Sequence, residues 1–173
     1  MAQRTAQTQA VRAWLAVPAR IERAVQNLPE RALDRRGGSE GWSIRETVHH
    51  LVEANLVASN IMLAALAKSG ATYDWSWVMP DGVWMRRVGY TTAPVGPALS
   101  LLRALGEFFA AVLSSATGGL ERHVRLLDAP GAATYKRTVK QILAQEVAHA
   151  GKHLRDIAAT RAASAKRGPR RRR

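Results

Sequence analysis

The sequence contains no cysteine. Disulfides, thiolate metal sites and cysteine nucleophiles are thereby excluded, and the simplest reading is an intracellular, cytoplasmic protein. Any metal centre must use His, Asp or Glu. Long apolar runs are lacking too. No segment approaches the ~18 uninterrupted apolar residues of a membrane span. The N-terminal stretch MAQRTAQTQAVRAWLAVPARIERAV has no continuous apolar core of the kind a signal peptide carries. No membrane partner is expected. β-Branched runs are few, whereas Ala and Leu are in surplus, which favours helix. Acidic residues are scarce as well: 13 Asp and Glu stand against 26 Lys and Arg, a net charge of +13.

The charge invites a nucleic-acid reading, but its distribution argues against one for the body of the protein. The last eight residues, KRGPRRRR, hold six of the positive charges. Such a run is expected to be a disordered, solvated tail. It would attract phosphates nonspecifically and in a salt-sensitive way, and no DNA-reading motif accompanies it. What is present is enough for one domain with a real core: 173 residues, 47% of them hydrophobic. The expected division is a helical domain over 1–164 and a basic tail over 165–173.

Four helical segments stand out, and there is no internal repeat. The first spans roughly Thr8 to Asn27, with apolar Val11, Trp14, Leu15, Ile21 and Val25; Pro18 inside it predicts a kink or a late start. The second opens at Ser43, where Ser43 and Glu46 form the S-x-x-E capping-box pattern, and runs to about Lys68. The third starts around Pro94 to Pro97 and ends at Thr117-Gly118-Gly119. The fourth runs from about Lys136 to Ala163. The stretch ATYDWSWVMPDGVWMRRVGYTTAP has no period and reads as a long loop; it carries Trp75, Trp77 and Trp84. A shorter connection, ERHVRLLDAPGAATY, leaves room for a short extended piece. Four long helices with apolar stripes predict an all-α, antiparallel four-helix bundle.

Three histidines carry the chemistry. His149 and His153 are four residues apart, so on a helix they share a face. At 100° per residue, they align with Val139, Ile142, Glu146, Leu154 and Ile157, the apolar side of the fourth helix. On the second helix, His50 shares a face with Ala54, Val57 and Ile61. His49 falls beside Arg45, Glu46, Glu53 and Asn60 and is expected to face solvent. Two imidazoles from one helix and a third from a facing helix can hold one metal and leave positions open for water or substrate, as catalytic sites do. The predicted ligands are His50, His149 and His153. The H-x-x-x-H lacks the Glu of H-E-x-x-H, having Ala150, Gly151 and Lys152 between its histidines, which disfavours a zincin-type protease. Glu53 and Glu146, each one turn from a histidine, are candidates to orient the rings; their alternative is an ordinary surface carboxylate, and Asp156 has the same two readings. Trp75, Trp77 and Trp84 are candidates for a lid or substrate wall, or for packing over the bundle end. Trp42 reads as structural, and His123 lies in a loop with no partner to name.

With Trp42-Ser43-Ile44-Arg45-Glu46, His50-Leu51 eight residues after that Trp, and His149 with His153, the chain resembles the DinB/YfiT-like metalloprotein superfamily. The match covers roughly residues 8–162. The resemblance implies an up-down-down-up bundle, a divalent ion on three histidines and a homodimer. Relatives in that superfamily include S-transferases that use low-molecular-weight thiols, and an isomerase. The chain departs from the family pattern at Glu53 and Asn55, where Asp and Glu are common, and at His153-Leu154-Arg155-Asp156-Ile157, where His-Arg-Gly-Gln-Ile is common. The expected function is therefore a metal-dependent transferase or hydrolase acting on a small molecule. The expected ion is zinc or nickel foremost, then manganese or iron, since imidazole ligands alone do not choose. The competing expectation is a noncatalytic, dimeric metal-binding or stress-response protein. A third is nucleic-acid association through the tail.

Overall fold

The computed structural model describes residues 2–166, and the surroundings of side chains over 9–163. Four long helices form the body: α1 (Ala2–Val25), α3 (Ile44–Ala67), α5 (Val95–Ser115) and α6 (Val139–Lys166). Two short helices, α2 (Glu30–Leu33) and α4 (Gly82–Arg87), and three short strands, β1 (Thr72–Asp74), β2 (His123–Leu127) and β3 (Tyr135–Thr138), complete it. The basic tail expected from residue 165 lies, beyond Lys166, outside the described residues.

Each long helix buries the stripe its periodicity marks. On α1, Trp14, Val17, Ile21 and Val25 are buried at spacings of three and four. The helix starts earlier than its sequence suggests, runs on through Pro18, and stops where Asn27 takes a left-handed φ of 60°. On α3 the expected capping box is formed. Ser43 Oγ accepts from the Glu46 amide at 3.1 Å, and the Ser43 amide donates to Glu46 Oε2 at 2.6 Å. Burial would raise the Glu46 carboxyl, but bonds from Ser43 and Arg36 hold it below the usual range.

Contacts between helix ends give the directions. The Arg161 guanidinium near the end of α6 reaches the carbonyl of Ala24 near the end of α1, at 2.6 Å, so these two run the same way. Arg103 near the start of α5 pairs with Glu22 near the end of α1. Trp14 and Phe109 pack edge-to-face at 5.6 Å further along, so α5 runs opposite to α1. The start of α3 lies beside the end of α6, where the Ser39 amide donates to Asp156 Oδ1 at 3.2 Å. The order is thus up-down-down-up. α1 and α3 sit diagonally, each packing on both α5 and α6. Trp14 bridges the diagonal: its indole N–H donates to Asn55 Oδ1 at 2.9 Å.

Because α3 and α5 are parallel, the chain between them must return along the bundle. That return is not the unstructured loop its lack of period suggests. It begins with β1, which pairs parallel to β2, Thr72 opposite Arg125. It then holds α4, capped by the Asp81 carboxylate on the amides of Val83 and Trp84. β2 pairs antiparallel to β3, so the connection before α6 is a hairpin rather than a single extended piece. The small sheet closes one end of the bundle: Val124 and Leu126 join the core with Met62 of α3 and Leu143 of α6. His123, for which the sequence names no partner, opens β2 rather than lying in a loop; its amide donates to Ser69 Oγ at 3.2 Å and its Nδ1 lies 3.1 Å from the same oxygen.

Isolated polar residues interrupt the apolar stretches of α3 and α5 without making either helix polar on average. By length and composition α3 and α5 each reach the threshold of a membrane span, with a mean hydropathy of 1.4 over 18 residues. In α3 that apolar surface serves the core. In α5 much of it is exposed, including Leu101 and Phe108.

Candidate metal centre

The buried face that α3 and α6 share holds the three predicted histidines. Their Nε2 atoms converge: His50 to His149 is 3.1 Å, and His149 to His153 is 3.0 Å. All three rings offer a nitrogen within 4.8 Å of the other two. His50 and His153 are buried, whereas the His149 side chain is 26% exposed and marks the open side. Trp42, which the sequence suggested only as packing at a helix start, forms the opposite wall. It stacks on His153 with centroids 5.7 Å apart and meets His50 edge-on at 4.7 Å.

Each ring turns its other nitrogen toward a carboxylate three residues away. His50 Nδ1 lies 3.9 Å from Glu53 Oε2, His149 Nδ1 3.9 Å from Glu146 Oε2, and His153 Nδ1 3.5 Å from Asp156 Oδ2. Glu53 and Glu146 are therefore partly buried beside the rings rather than out on the surface. Asp156 also accepts from the amide and hydroxyl of Ser39, which ties the loop before α3 to the last turns of α6. That loop approaches closely at its glycines. A Cβ on Gly38, whose φ is 71°, would stand 2.7 Å from Asp156 Cβ, and one on Gly37 would stand 2.4 Å from Thr160 Oγ1.

These protein groups leave the cluster incomplete. The Nε2 of His149 carries either one proton or one lone pair, so hydrogen bonding can satisfy only one of its two close neighbours. His50 Nδ1, Glu53 Oε2 and Glu146 Oε2 are buried without a hydrogen-bond partner, a costly arrangement. Neutral rings that donate Nδ1–H toward the carboxylates would aim three lone pairs at one point, which calls for a cation there. Metal–nitrogen bonds of about 2.0–2.1 Å require ligand nitrogens spaced much as these are. The donor set fits a divalent ion, and the carboxylates stand where ring-orienting acceptors of such ions stand. Burial, then the neighbouring His149 and His50, lowers the pKa of His153 to about 4, so its ring is neutral and its lone pair free at neutral pH.

His49 is not solvent-facing. It is buried, its Nε2–H donates to the Ala93 carbonyl at 3.1 Å, and its ring stacks on Tyr90 at 4.9 Å. The polar side of α3 misleads because Arg45 and Glu46 are themselves buried. Arg45 is held by Glu30 at 2.5 Å, Asp34 at 2.8 Å and the Ala93 carbonyl at 3.1 Å. Burial, and secondarily the Arg45 charge, pushes the His49 pKa down despite the bond to Ala93. His49 is separate from the three-histidine cluster.

Above the histidines opens a cavity of about 640 Å³ between α3, α6, β2 and the return segment. Of the three tryptophans proposed for its wall, Trp75 lines it and the other two do not. Trp84 turns its indole N–H to Glu53 Oε1 at 2.8 Å, so it holds the carboxylate beside His50 instead. Trp77 is 60% exposed and packs on Trp84 at 6.1 Å. Tyr90 adds to the same support: burial, then the nearby Glu53 carboxylate, pushes its hydroxyl up to about 12. At the mouth, the Lys152 ammonium pairs with Glu40 at 2.6 Å. Glu40 and Lys152 escaped sequence reasoning because the contact spans more than a hundred residues. Asp156 had a readable signal: it repeats, after His153, the spacing of Glu53 after His50.

The chain is 31% identical over 128 residues to a Geobacillus kaustophilus protein named "Putative metal-dependent hydrolase", covering 70% of this chain and 69% of that protein. It is 29% identical over 113 residues to a protein of the same description from Geobacillus thermodenitrificans, covering 62% and 61%. Among solved structures it is similar to YfiT from Bacillus subtilis, described as a probable metal-dependent hydrolase with an unusual four-helix bundle topology. The TM-score is 0.79 at 20% identity, over 92% of this chain and 87% of that one, a likeness of fold. The family model of the DinB superfamily matches residues 13–157, from α1 through the last histidine-bearing turns of α6, and the chain belongs to that superfamily.

Proposed function

We propose that the protein is a divalent-metal-dependent hydrolase of a small molecule, with His50, His149 and His153 as the metal ligands. The observation that carries this reading is the arrangement of the three rings: Nε2 atoms converging at 3.0 and 3.1 Å, each opposite nitrogen facing a carboxylate, on the floor of a cavity. The description of the Geobacillus relatives as metal-dependent hydrolases supports the same reaction class.

A divalent ion held there would supply Lewis acidity and a water acidified toward neutral pH. The chain supplies the rest. With an ion bound, Glu53, Glu146 and Asp156, 3.9, 3.9 and 3.5 Å from the ring Nδ1 atoms, would orient the rings so that Nε2 points inward. Trp84 and Tyr90 hold Glu53 from behind, and Trp42 excludes water from the buried side. The partly exposed edge at His149 leaves the approach for substrate. S-transfer from a low-molecular-weight thiol would use the same opening; turnover that requires added thiol identifies it, and turnover in water alone identifies hydrolysis.

Elemental analysis of the purified full-length protein, with thermal melts in added Zn²⁺, Ni²⁺ and Mn²⁺, tests the proposal. The expected result is near-stoichiometric metal, or a rise in Tm on adding it, together with ester or amide hydrolysis that chelation abolishes and metal restores. Neither bound metal nor stabilisation by any of the three ions would overturn it.

A further inference from the structure

The metal reading accounts for one end of the cavity only. α3 and α6 run antiparallel, and the lining follows both helices away from the histidines by the same number of residues. It runs from His50 to Ile61 on α3 and from His153 back to Ile142 on α6. At about 1.5 Å of rise per residue, each path is roughly 16 Å long. The cavity is therefore a slot along the α3–α6 seam. Ala54 and Ala58 on α3 keep it open midway, since neither projects beyond Cβ. Its far end is closed by Ile61, Ile142, Leu126 of β2 and Trp75. The charged groups of the lining reach from the histidine end to mid-slot: Glu53 and the Lys152–Glu40 pair stand beside the histidines, and Glu146 lies one turn from Ile142, facing His149.

We infer that the slot takes an elongated acyl compound, its hydrolysable ester or amide head at the three histidines and its apolar chain laid along the seam to Ile61 and Ile142. The inference rests on the metal-hydrolase reading and names its substrate class. The head must be polar because the buried Glu53 and Glu146 oxygens and the converging imidazoles surround it. The tail is mainly apolar because Val57, Ile61, Leu126 and Ile142 form most of that end; its polar groups are Gln145 and the buried Trp75 indole N–H, which lacks a hydrogen-bond partner. Hydrolysis there consumes one water. The acyl carbon gains the water oxygen, its bond to the leaving oxygen or nitrogen breaks, and that atom takes the proton. A volume of 640 Å³ is within the range of small-molecule sites and large for a head group alone.

Straight-chain alkyl hydroxamates, which chelate a metal through the head and vary only in the tail, provide the test. Binding to the zinc-loaded full-length protein is measured by calorimetry from the two-carbon to the ten-carbon member. The expected result is Kd falling about three- to fourfold per added methylene, then levelling when the chain reaches the end of the slot. In Ile61→Trp and Ile142→Trp the levelling should come several carbons earlier, with zinc content as in the wild type. A two-carbon hydroxamate that binds, followed by a flat series in the wild type, overturns this inference and leaves the metal reading standing. A protein that retains no zinc and binds no member of the series overturns both.

Discussion

His49 and His50 are neighbours on α3 and both are buried, yet their surroundings differ in completeness. Around His49 the polar groups pair: its ring donates to Ala93 and stacks on Tyr90, and the adjacent Arg45 is held by Glu30, Asp34 and the same carbonyl. Around His50 they do not. Its Nδ1, Glu53 Oε2 and Glu146 Oε2 lack partners, and three ring nitrogens crowd one point. A closed network of buried polar groups holds a fold together, whereas one whose members lack partners is costly and fits a ligand that would supply them. Burial does not tell the two histidines apart; the hydrogen-bond inventory does.

The sharpest way to break this comparison is to remove each ring in turn. His50→Ala should cost more metal affinity than the ~10–100-fold that follows loss of an outer partner. His49→Ala should leave metal stoichiometry unchanged and lower stability by about 2–3 kcal/mol, through the cavity left beside Tyr90 and the loss of one of the two bonds to the Ala93 carbonyl, which Arg45 still donates to. Metal titration and denaturant melts of both variants decide; equal loss of metal from the two would erase the distinction. Next in size is Glu53→Gln, which keeps the acceptor for Trp84 but removes the charge beside His50. Metal affinity should fall about 10–100-fold with little change in apo-protein stability. Unchanged affinity would reduce Glu53 to a partner of Trp84 alone.

Gly38→Ala probes the same open network from outside. A left-handed φ of 71° and a Cβ 2.7 Å from Asp156 should destabilise by about 1–3 kcal/mol. By displacing Asp156 from His153 it should also weaken metal binding, which a melt with and without metal would show as a smaller ligand-induced rise in Tm. The smallest effect joins the two regions. Folding lowers the pKa of His49, and that of His153 to about 4. Both rings therefore take up protons more readily unfolded, and their contribution is full above the unfolded pKa of about 6.5. Stability of the metal-free protein should fall as pH drops from about 6.5 toward 4. His49→Gln should shallow that slope, and a slope unaltered in the variant would exclude His49 as a contributor.

The bundle was legible because its helices bury stripes of period 3.6, as on α1 and α6, and because Ser43 and Glu46 announce the start of α3. The positions of His50, His149 and His153 followed from the same periodicity together with the spacing from Trp42. What stayed hidden is nonlocal. The first turns of α3 are buried on every side because α2 and the segment around Tyr90 to Ala93 fold over them, so the helical phase that separates His49 from His50 could not predict which of them meets water. β1 is three residues long and pairs with a strand some fifty residues later, so no local pattern marks it. Trp84 and Trp77 read from the sequence either as a lid or substrate wall or as packing over the bundle end, and only the placement of α4 shows that one supports Glu53 and the other lies outside the cavity.

The Ser43–Glu46 cap has a consequence for the chemistry. A helix turns 100° per residue, so the compass bearing of every side chain on α3 is counted from the residue where winding begins. The cap, with Arg36 clasping Glu46 at 2.9 Å, fixes that zero. From residue 43 to residue 50 is about two turns, and one residue added or removed between them would swing the neighbour of His50 toward α6 in its place. The cap is in this sense the dial setting of the centre: it delivers His50 to the cluster, where one residue more would deliver His49 and one fewer Leu51.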